Sequence, residues 1–471
     1  MEIYHISAEC FPAAKVGGLA DVVGALPKYL NRLNHSAKVV IPGYDTKFAQ
    51  NHEYETVFEG ELKLGVFHFH YQIAKEKTNE LGFELYQIRI LQLFDRPEVY
   101  GYEDDTERFA AFQIAFLDWI TATGAIPDIV HCHDHHTGLI PFMMQHCYKY
   151  GQLNRTPTLL TIHNAQYQGW FPFDKIHYLP DFDRANAGYL EWNGTINPLA
   201  SAIKCVWKVT TVSPTYLDEM ANNANGLENL LRYERVKSVG ILNGIDTEVW
   251  NPKTDALLEA NYDVKTFKSG KAKNKKALCE KFELDENLPI FSFIGRLVHE
   301  KGAELLPEIT RRLLTDFEGK ANVLILGSGD PDVEDKLRAL QHFNRSHYNC
   351  YIGYNEQLAH LVYGGSDFLL MPSRVEPCGL NQMYSLRYGT VPIVRRTGGL
   401  KDTVIDMGDG GFGICHQQTS VEDVLHAADR ALGLFADAKK FDAIRKMGMQ
   451  LDHSWDSVAQ QYIEQYQTLA K

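Results

Sequence analysis

The sequence contains no apolar run of about 18 residues, the length a membrane-spanning helix needs. It has no long Lys/Arg run either, and 47 basic against 60 acidic side chains give a formal net charge of −13. A chain of that sign is a poor general binder of nucleic acid or of an anionic membrane surface. The eight cysteines form no CxxC pair, so neither a zinc ribbon nor a thioredoxin motif is supported. Their scatter suits free thiols in a reducing compartment. The opening MEIYHISAEC lacks the basic-then-apolar order of a secretory signal. The expectation is therefore a cytoplasmic protein without nucleic-acid or membrane partners, its oligomeric state left open.

What is present is ordinary globular composition, 45% hydrophobic and 23% charged over 471 residues, which fits two or three domains. Short apolar runs (EIYHISA, AKVVIP, DIVHCHD, TPTLLTIHN) alternate with helical patterns such as LADVVGALPKYLNRL and ERFAAFQIAFLDWIT. That rhythm predicts a doubly wound parallel sheet. LKLGVFHFHYQIAK and GFELYQIRI read as an antiparallel excursion within it. After GILNGIDTEVWNP the rhythm begins again with PIFSFIGR, NVLILGSGD and DFLLMPS. The expected fold is α/β, two Rossmann-like lobes facing a central cleft. The expected domains are 1–241 and 242–455, with a terminal helix over 456–471 packing back on the first. The basic stretch KSGKAKNKKALCEKF is expected to be a surface helix. Segments near 242–246 and before Trp455 are the expected hinges.

Four segments offer chemistry, each with a bland alternative. Lys15 precedes Gly17 and Gly18 at a helix start, where a cation and backbone N–H groups can meet one anion. A surface lysine beside a tight turn reads as well. This loop matches neither the dinucleotide-binding nor the P-loop glycine pattern. A similar GGLxDxV string recurs at 398–404. Arg296 and Lys301 follow an apolar strand, and such cations suit a leaving diphosphate, or else a solvated loop. Glu376 follows the strand DFLLMPS. A carboxylate there can accept from sugar hydroxyls, or serve the dipole of the next helix. Cys378 reads as a small buried residue because no base accompanies it. The fourth cluster is His131, Cys132, His133, Asp134, His135 and His136, with His163 and Asn164 downstream. Strand alternation puts His131 and His133 on one face and Asp134 off it. That favours polar groups at strand ends over a metal site. Asp104 and Asp105 read as the N-cap and first turn of a helix.

Taken together, KVGGLADVVGALP, VHCHDHHTGL, TIHNAQYQG, TVSPTY, GILNGIDTEVWNP, FIGRLVHEKG, LILGSGDP, PSRVEPCGLNQMYSLRYGTVPIVRRTGGLKDTV and WDSVAQQY resemble the bacterial glycogen synthase and plant starch synthase family. These are retaining glucosyltransferases of the two-lobe GT-B architecture. The resemblance implies transfer of glucose from ADP-glucose to the non-reducing 4-hydroxyl of an α-1,4-glucan, with no cofactor and no metal. Donor and glucan are then the partners, the first lobe serving the acceptor side and the second the nucleotide sugar. It places Glu376, His163, Arg296, Lys301 and Asp134 in catalysis. It places Lys15, Gly17, Gly18, Asp21, Tyr100, Asn243, Tyr354, Cys378, Gly379 and Leu380 in substrate binding. The chain departs from the family at His135, where Trp is usual, at Asp104-Asp105, where Asp-Asn is common, and at Asn381, commonly Thr. The alternatives are a UDP-glucose-dependent synthase, a related phosphorylase, and a non-catalytic glucan-binding protein.

Overall fold

The structure is a computed structural model that describes residues 1–470 apart from 79 and 343–345. The chain forms two compact units, Met1–Gly244 with Trp455–Lys471, and Ile245–Ser454. Lys471, the last residue of the expected terminal helix, lies outside the described residues.

The first unit holds β1 (Glu2–Ile6), β2 (Ser36–Pro42), β3 (Tyr54–Leu64), β4 (Phe67–Glu76), β5 (Glu84–Ile90), β6 (Ile129–His133) and β7 (Thr158–Ile162). The short β8 (Phe171–Pro172), β9 (Glu191–Trp192) and β10 (Thr195–Ile196) form a small sheet of their own. Two further strands, β11 (Lys208–Thr211) and β12 (Ser238–Gly240), complete the main sheet, whose order is β12-β11-β7-β6-β1-β2-β5-β4-β3. All pairings from β12 to β5 are parallel. Of the expected excursion, LKLGVFHFHYQIAK falls on β3 and β4, which pair antiparallel, whereas GFELYQIRI is β5, antiparallel to β4 but parallel to β2 and so part of the main sheet. The second unit holds β13 (Ile290–Leu297), β14 (Asn322–Gly329), β15 (Tyr348–Ile352), β16 (Phe368–Met371), β17 (Val391–Arg395) and β18 (Ile414–His416), in the order β15-β14-β13-β16-β17-β18. Every pairing there is parallel.

Both units are thus Rossmann-like. Parallel strands are covered on both faces, so they read as continuous apolar runs; β16, Phe-Leu-Leu-Met, is buried throughout. Among the parallel strands of each sheet the order reverses once, between β1 and β6 and between β13 and β16. Loops at the carboxyl ends of such strands form a ligand crevice.

The helix Trp455–Leu469 belongs to the first unit. Its Trp455, Tyr462 and Tyr466 pack in one core cluster with Tyr29, Leu30 and Ile241. Each large apolar side chain buried this way contributes about 1.5–3 kcal/mol. Gly244 permits the approach, since a Cβ there would lie 2.9 Å from the backbone of Trp455.

Two local readings are corrected. The basic helix, Phe267–Phe282, is not a surface helix along its whole length. Lys271 is buried, and its ammonium donates to the carbonyls of Tyr363 (3.2 Å), Gly364 (3.0 Å) and Tyr388 (3.1 Å) and to Oγ1 of Thr390 (2.9 Å). Four oxygens replace the water that such a charge loses on burial. Asp104 does precede the helix Asp105–Thr123, but its side chain does not cap it. Both carboxylate oxygens accept from Arg96, at 2.6 and 2.8 Å, because a bidentate guanidinium outcompetes a single backbone N–H.

Candidate active site

In the second unit the candidates gather around the carboxyl ends of β13 and β16. Lys301 donates to both carboxylate oxygens of Glu376, at 2.6 and 2.7 Å, and Ser373 adds a third bond at 2.9 Å. Glu376 is 4% exposed. The loop that carries it is stapled in place. Arg374 and Val375 donate their backbone N–H to the carbonyl of Glu300, and Arg395 donates to the carbonyls of Ser373 and Arg374. Glu376 is not in the first turn of the helix Asn381–Arg387, and its carboxylate is engaged by Lys301 and Ser373. Arg296 stands near the end of β13, exposed. Among the described residues its guanidinium has no hydrogen-bond or ion-pair partner.

Cys378 is buried, as expected of a small apolar residue. Gly379 has φ +75°, a conformation other residues adopt at a cost, and Gln382 ties down the carbonyls of Cys378 and Gly379. Leu380 is the N-cap of the helix that follows. Tyr354 sits on the loop after β15 and is 71% exposed, its hydroxyl donating to Glu356. Asn381 donates to the carbonyl of Ile294 at 2.6 Å, which links this departure to β13.

The two GGLxDxV strings differ physically. At the second, a Cβ on Gly398 would lie 2.0 Å from the carbonyl oxygen of Glu376, and one on Gly399 would lie 2.1 Å from that of Cys378. The amide of Gly399 donates to the carbonyl of Glu376. Those glycines let the helix start press on the Glu376 loop. At the first, a Cβ on Gly17 or Gly18 meets nothing within 4 Å. The chain's own packing does not demand glycine there, and the space beside the loop is open.

The first loop is held by a residue the sequence reading missed. Glu9 is 4% exposed and accepts from the backbone N–H of Val16 (2.6 Å) and Gly17 (2.9 Å) and from the hydroxyl of Tyr100 (2.7 Å). The expectation that the Gly17 amide faces an anion is therefore corrected: a buried carboxylate already occupies it. Burial pushes the Glu9 carboxyl above its usual range. Lys15 pairs with Asp21 at 2.8 Å. Tyr100 also stacks on His136, with ring centroids 4.7 Å apart. Fully buried Arg108 braces its segment by donating to the carbonyls of Leu93 and Val99. Only position, just past β1, marks Glu9 in the sequence; a lone glutamate in SAEC carries no pattern.

Asp134 and His163 are brought together. Asp134 is a non-glycine residue at φ +57°, just past β6, and its carboxylate accepts from the backbone N–H of His163 at 2.7 Å. Burial raises the Asp134 carboxyl to about 7, against the lowering effect of the His163 and Asn164 amides. Asn243 is buried, and its Oδ1 has no partner among the described residues, which suits an acceptor waiting for a ligand's donor. His135, in place of the family's Trp, packs under Gly169, where a Cβ would come within 2.3 Å of the imidazole.

His5, His131 and His133 offer nitrogens within 4.8 Å of one another, a spacing that invites a metal. Except for Nε2 of His5, which has no partner among the described residues, the nitrogens are already engaged. His131 meets Tyr466 (2.8 Å) and Thr161 (2.6 Å), and His133 meets His5 (3.1 Å) and His163 (3.0 Å).

Comparison with known proteins agrees with this geometry. The starch synthase catalytic domain profile matches residues 2–233, and the glycosyl transferases group 1 profile matches residues 274–442. A glycogen synthase of Flavobacterium johnsoniae is 58% identical over 466 residues, 99% of this chain and 98% of that protein. One from Streptococcus sanguinis is 37% identical over the full length of both. Among solved structures, the catalytic domain of starch synthase IV from Arabidopsis thaliana, bound to ADP and acarbose, superposes with a TM-score of 0.91 at 32% identity. It covers 100% of this chain and 99% of that one. A sucrose-phosphate synthase from Thermosynechococcus elongatus, at TM-score 0.65 and 17% identity over 99% and 98% of the two chains, shares the fold. Two Rossmann-like units, a lysine–carboxylate pair at one sheet's switch point and full-length identity to these enzymes lead to one assignment: the chain belongs to the glycogen and starch synthase family of GT-B glycosyltransferases.

Proposed function

We propose that the enzyme transfers glucose from ADP-glucose to the non-reducing 4-hydroxyl of an α-1,4-glucan, with retention of anomeric configuration. The carrying observation is the Lys301–Glu376 pair in the loops that follow β13 and β16, with Arg296 near the end of β13. ADP in the starch synthase IV structure supports adenine as the donor base.

The bond from the anomeric carbon to the diphosphate breaks, and its electron pair goes to the phosphate oxygen. Arg296 forks onto the oxygens that gain charge. Lys301 spends two N–H groups on Glu376 and has a third for phosphate. Such preorganised donors are worth about 3–4 kcal/mol each in the transition state. Glu376 and His163 are assigned to the transferred glucose, Glu376 accepting from its hydroxyls, and Asp134 holds the backbone of His163. Asn243 and Tyr100 are assigned to the sugar side, and Tyr354 to the base. The new bond forms from the glucan 4-oxygen on the face the diphosphate leaves. The hydroxyl proton passes to the departing phosphate.

The test is label transfer. Radiolabelled ADP-glucose and UDP-glucose are incubated separately, with and without glycogen. Polymer-bound label from ADP-glucose, dependent on glycogen, is the expected result. Label from UDP-glucose alone, or glycogen binding with no transfer from either donor, overturns the reading.

A further inference from the structure

We infer that His5 and His133 act as positioning residues that fix His163 in a single neutral tautomer, protonated at Nδ1; the inference rests on the assignment of His163 to the transferred glucose.

The three rings come from adjacent strands, His5 on β1, His133 on β6 and His163 just past β7. Nδ1 of His5 lies 3.1 Å from Nε2 of His133, and Nδ1 of His133 lies 3.0 Å from Nε2 of His163. His5 and His133 are fully buried and His163 nearly so. Burial lowers His5 and His163 to about 3 and His133 well below its usual range. Each ring therefore holds one proton at neutral pH.

One proton per ring and two shared contacts admit two arrangements. Either all three rings are protonated at Nδ1, or all three at Nε2. Nε2 of His5 has no partner among the described residues. In the second arrangement that atom is a buried N–H without an acceptor, the rarer of the two defects in proteins. In the first it is only an unused lone pair. The first arrangement runs the donors from His5 to His133 to His163 and leaves His163 with an N–H for its ligand. A neutral donor also suits the chemistry. The anomeric carbon gains positive charge as its bond breaks. A histidine that holds a sugar oxygen without carrying a proton charge of its own does not oppose that gain.

The direct test is a long-range proton–nitrogen NMR spectrum of the full-length protein with nitrogen-15 histidine, recorded from pH 6 to 8. His163 is identified by the signals lost in His163→Asn. The expected result is His5, His133 and His163 all protonated at Nδ1 and none titrating. A His163 protonated at Nε2, or one that titrates in this range, overturns the inference.

A kinetic test uses His5, two rings removed from the assigned glucose. His5→Leu deletes the donor to His133, whereas the amide of His5→Asn keeps an N–H available to it. Loss of one such bond predicts a kcat lower by about three- to tenfold in His5→Leu with an unchanged KM for glycogen. His5→Asn stays within about twofold of the wild type by the same reasoning. Equal loss in both variants, or none in either, overturns the inference. Wild-type turnover in His163→Asn beside an intact Nδ1–H chain defeats instead the assignment of His163 to glucose, so the two failures are distinct.

Discussion

Replacing Lys301 by Ala removes one partner of a nearly buried ion pair. Glu376 then keeps one donor, Ser373, for a carboxylate whose side chain is 5% exposed. Breaking a fully buried pair in this way costs about 3–5 kcal/mol, because an uncompensated charge remains. The Lys301 side chain is 26% exposed, so water and relaxation reduce this to about 2–3 kcal/mol. In a unit of this size that corresponds to a Tm lower by about 4–12 °C. The double variant Lys301→Met with Glu376→Gln leaves no orphaned charge and recovers most of the loss. Scanning calorimetry of the wild type, Lys301→Ala and the double variant at pH 7.5 measures this. Transfer falls by about 100-fold or more in both variants, since the diphosphate loses a cation in each. An unchanged Tm in Lys301→Ala, or a double variant as unstable as the single one, refutes the electrostatic reasoning.

Arg296→Ala separates chemistry from stability. The guanidinium is exposed, so Tm stays within about 1–2 °C of the wild type while kcat falls about 100- to 1000-fold; near-normal turnover removes its diphosphate role. Asp134 gives a pH signature. Its carboxyl is raised from 3.8 to about 7, so the folded chain holds that proton more tightly than the unfolded chain. Its contribution to stability is complete below about pH 4 and is lost as pH rises through about 7. Asp134→Asn abolishes that slope. The wild-type-minus-variant difference from urea unfolding at pH 4.5, 5.5, 6.5 and 7.5 should span on the order of 3 kcal/mol, and a flat difference refutes the burial argument. Chelator treatment should leave transfer unchanged, because all of the close histidine nitrogens but Nε2 of His5 are spent on one another and on His163, Tyr466 and Thr161; a loss reversed only by added metal overturns that.

Strand and loop placement was legible wherever apolar runs ended in polar or glycine-rich segments. Lys301 and Glu376 follow apolar strands and Arg296 stands near the end of one, and burial of those strands on both faces is what made them readable. The Lys301–Glu376 pairing was not legible, because 75 residues separate partners that only the β13–β16 adjacency unites. Glu9 was missed for a related reason: its three partners lie seven, eight and 91 residues away, and no spacing rule joins them. Lys271 was misread because a basic stretch usually faces solvent. Its burial is decided by carbonyls at 363, 364 and 388, which local sequence does not display. The glycine strings show the converse. Identical letters at 17–18 and 398–399 serve an open loop in one place and a backbone crossing in the other.

The place of Trp455 bears on how the protein is made. The second unit, Ile245–Ser454, interrupts the first, and the aromatic residues that close the first unit's core are encoded after it. During synthesis the inserted unit has its whole chain in hand while the earlier one still lacks Trp455, Tyr462 and Tyr466. The lobe translated first is therefore completed last, and until then Tyr29, Leu30 and Ile241 are a sticky surface that a nascent chain must keep from its neighbours.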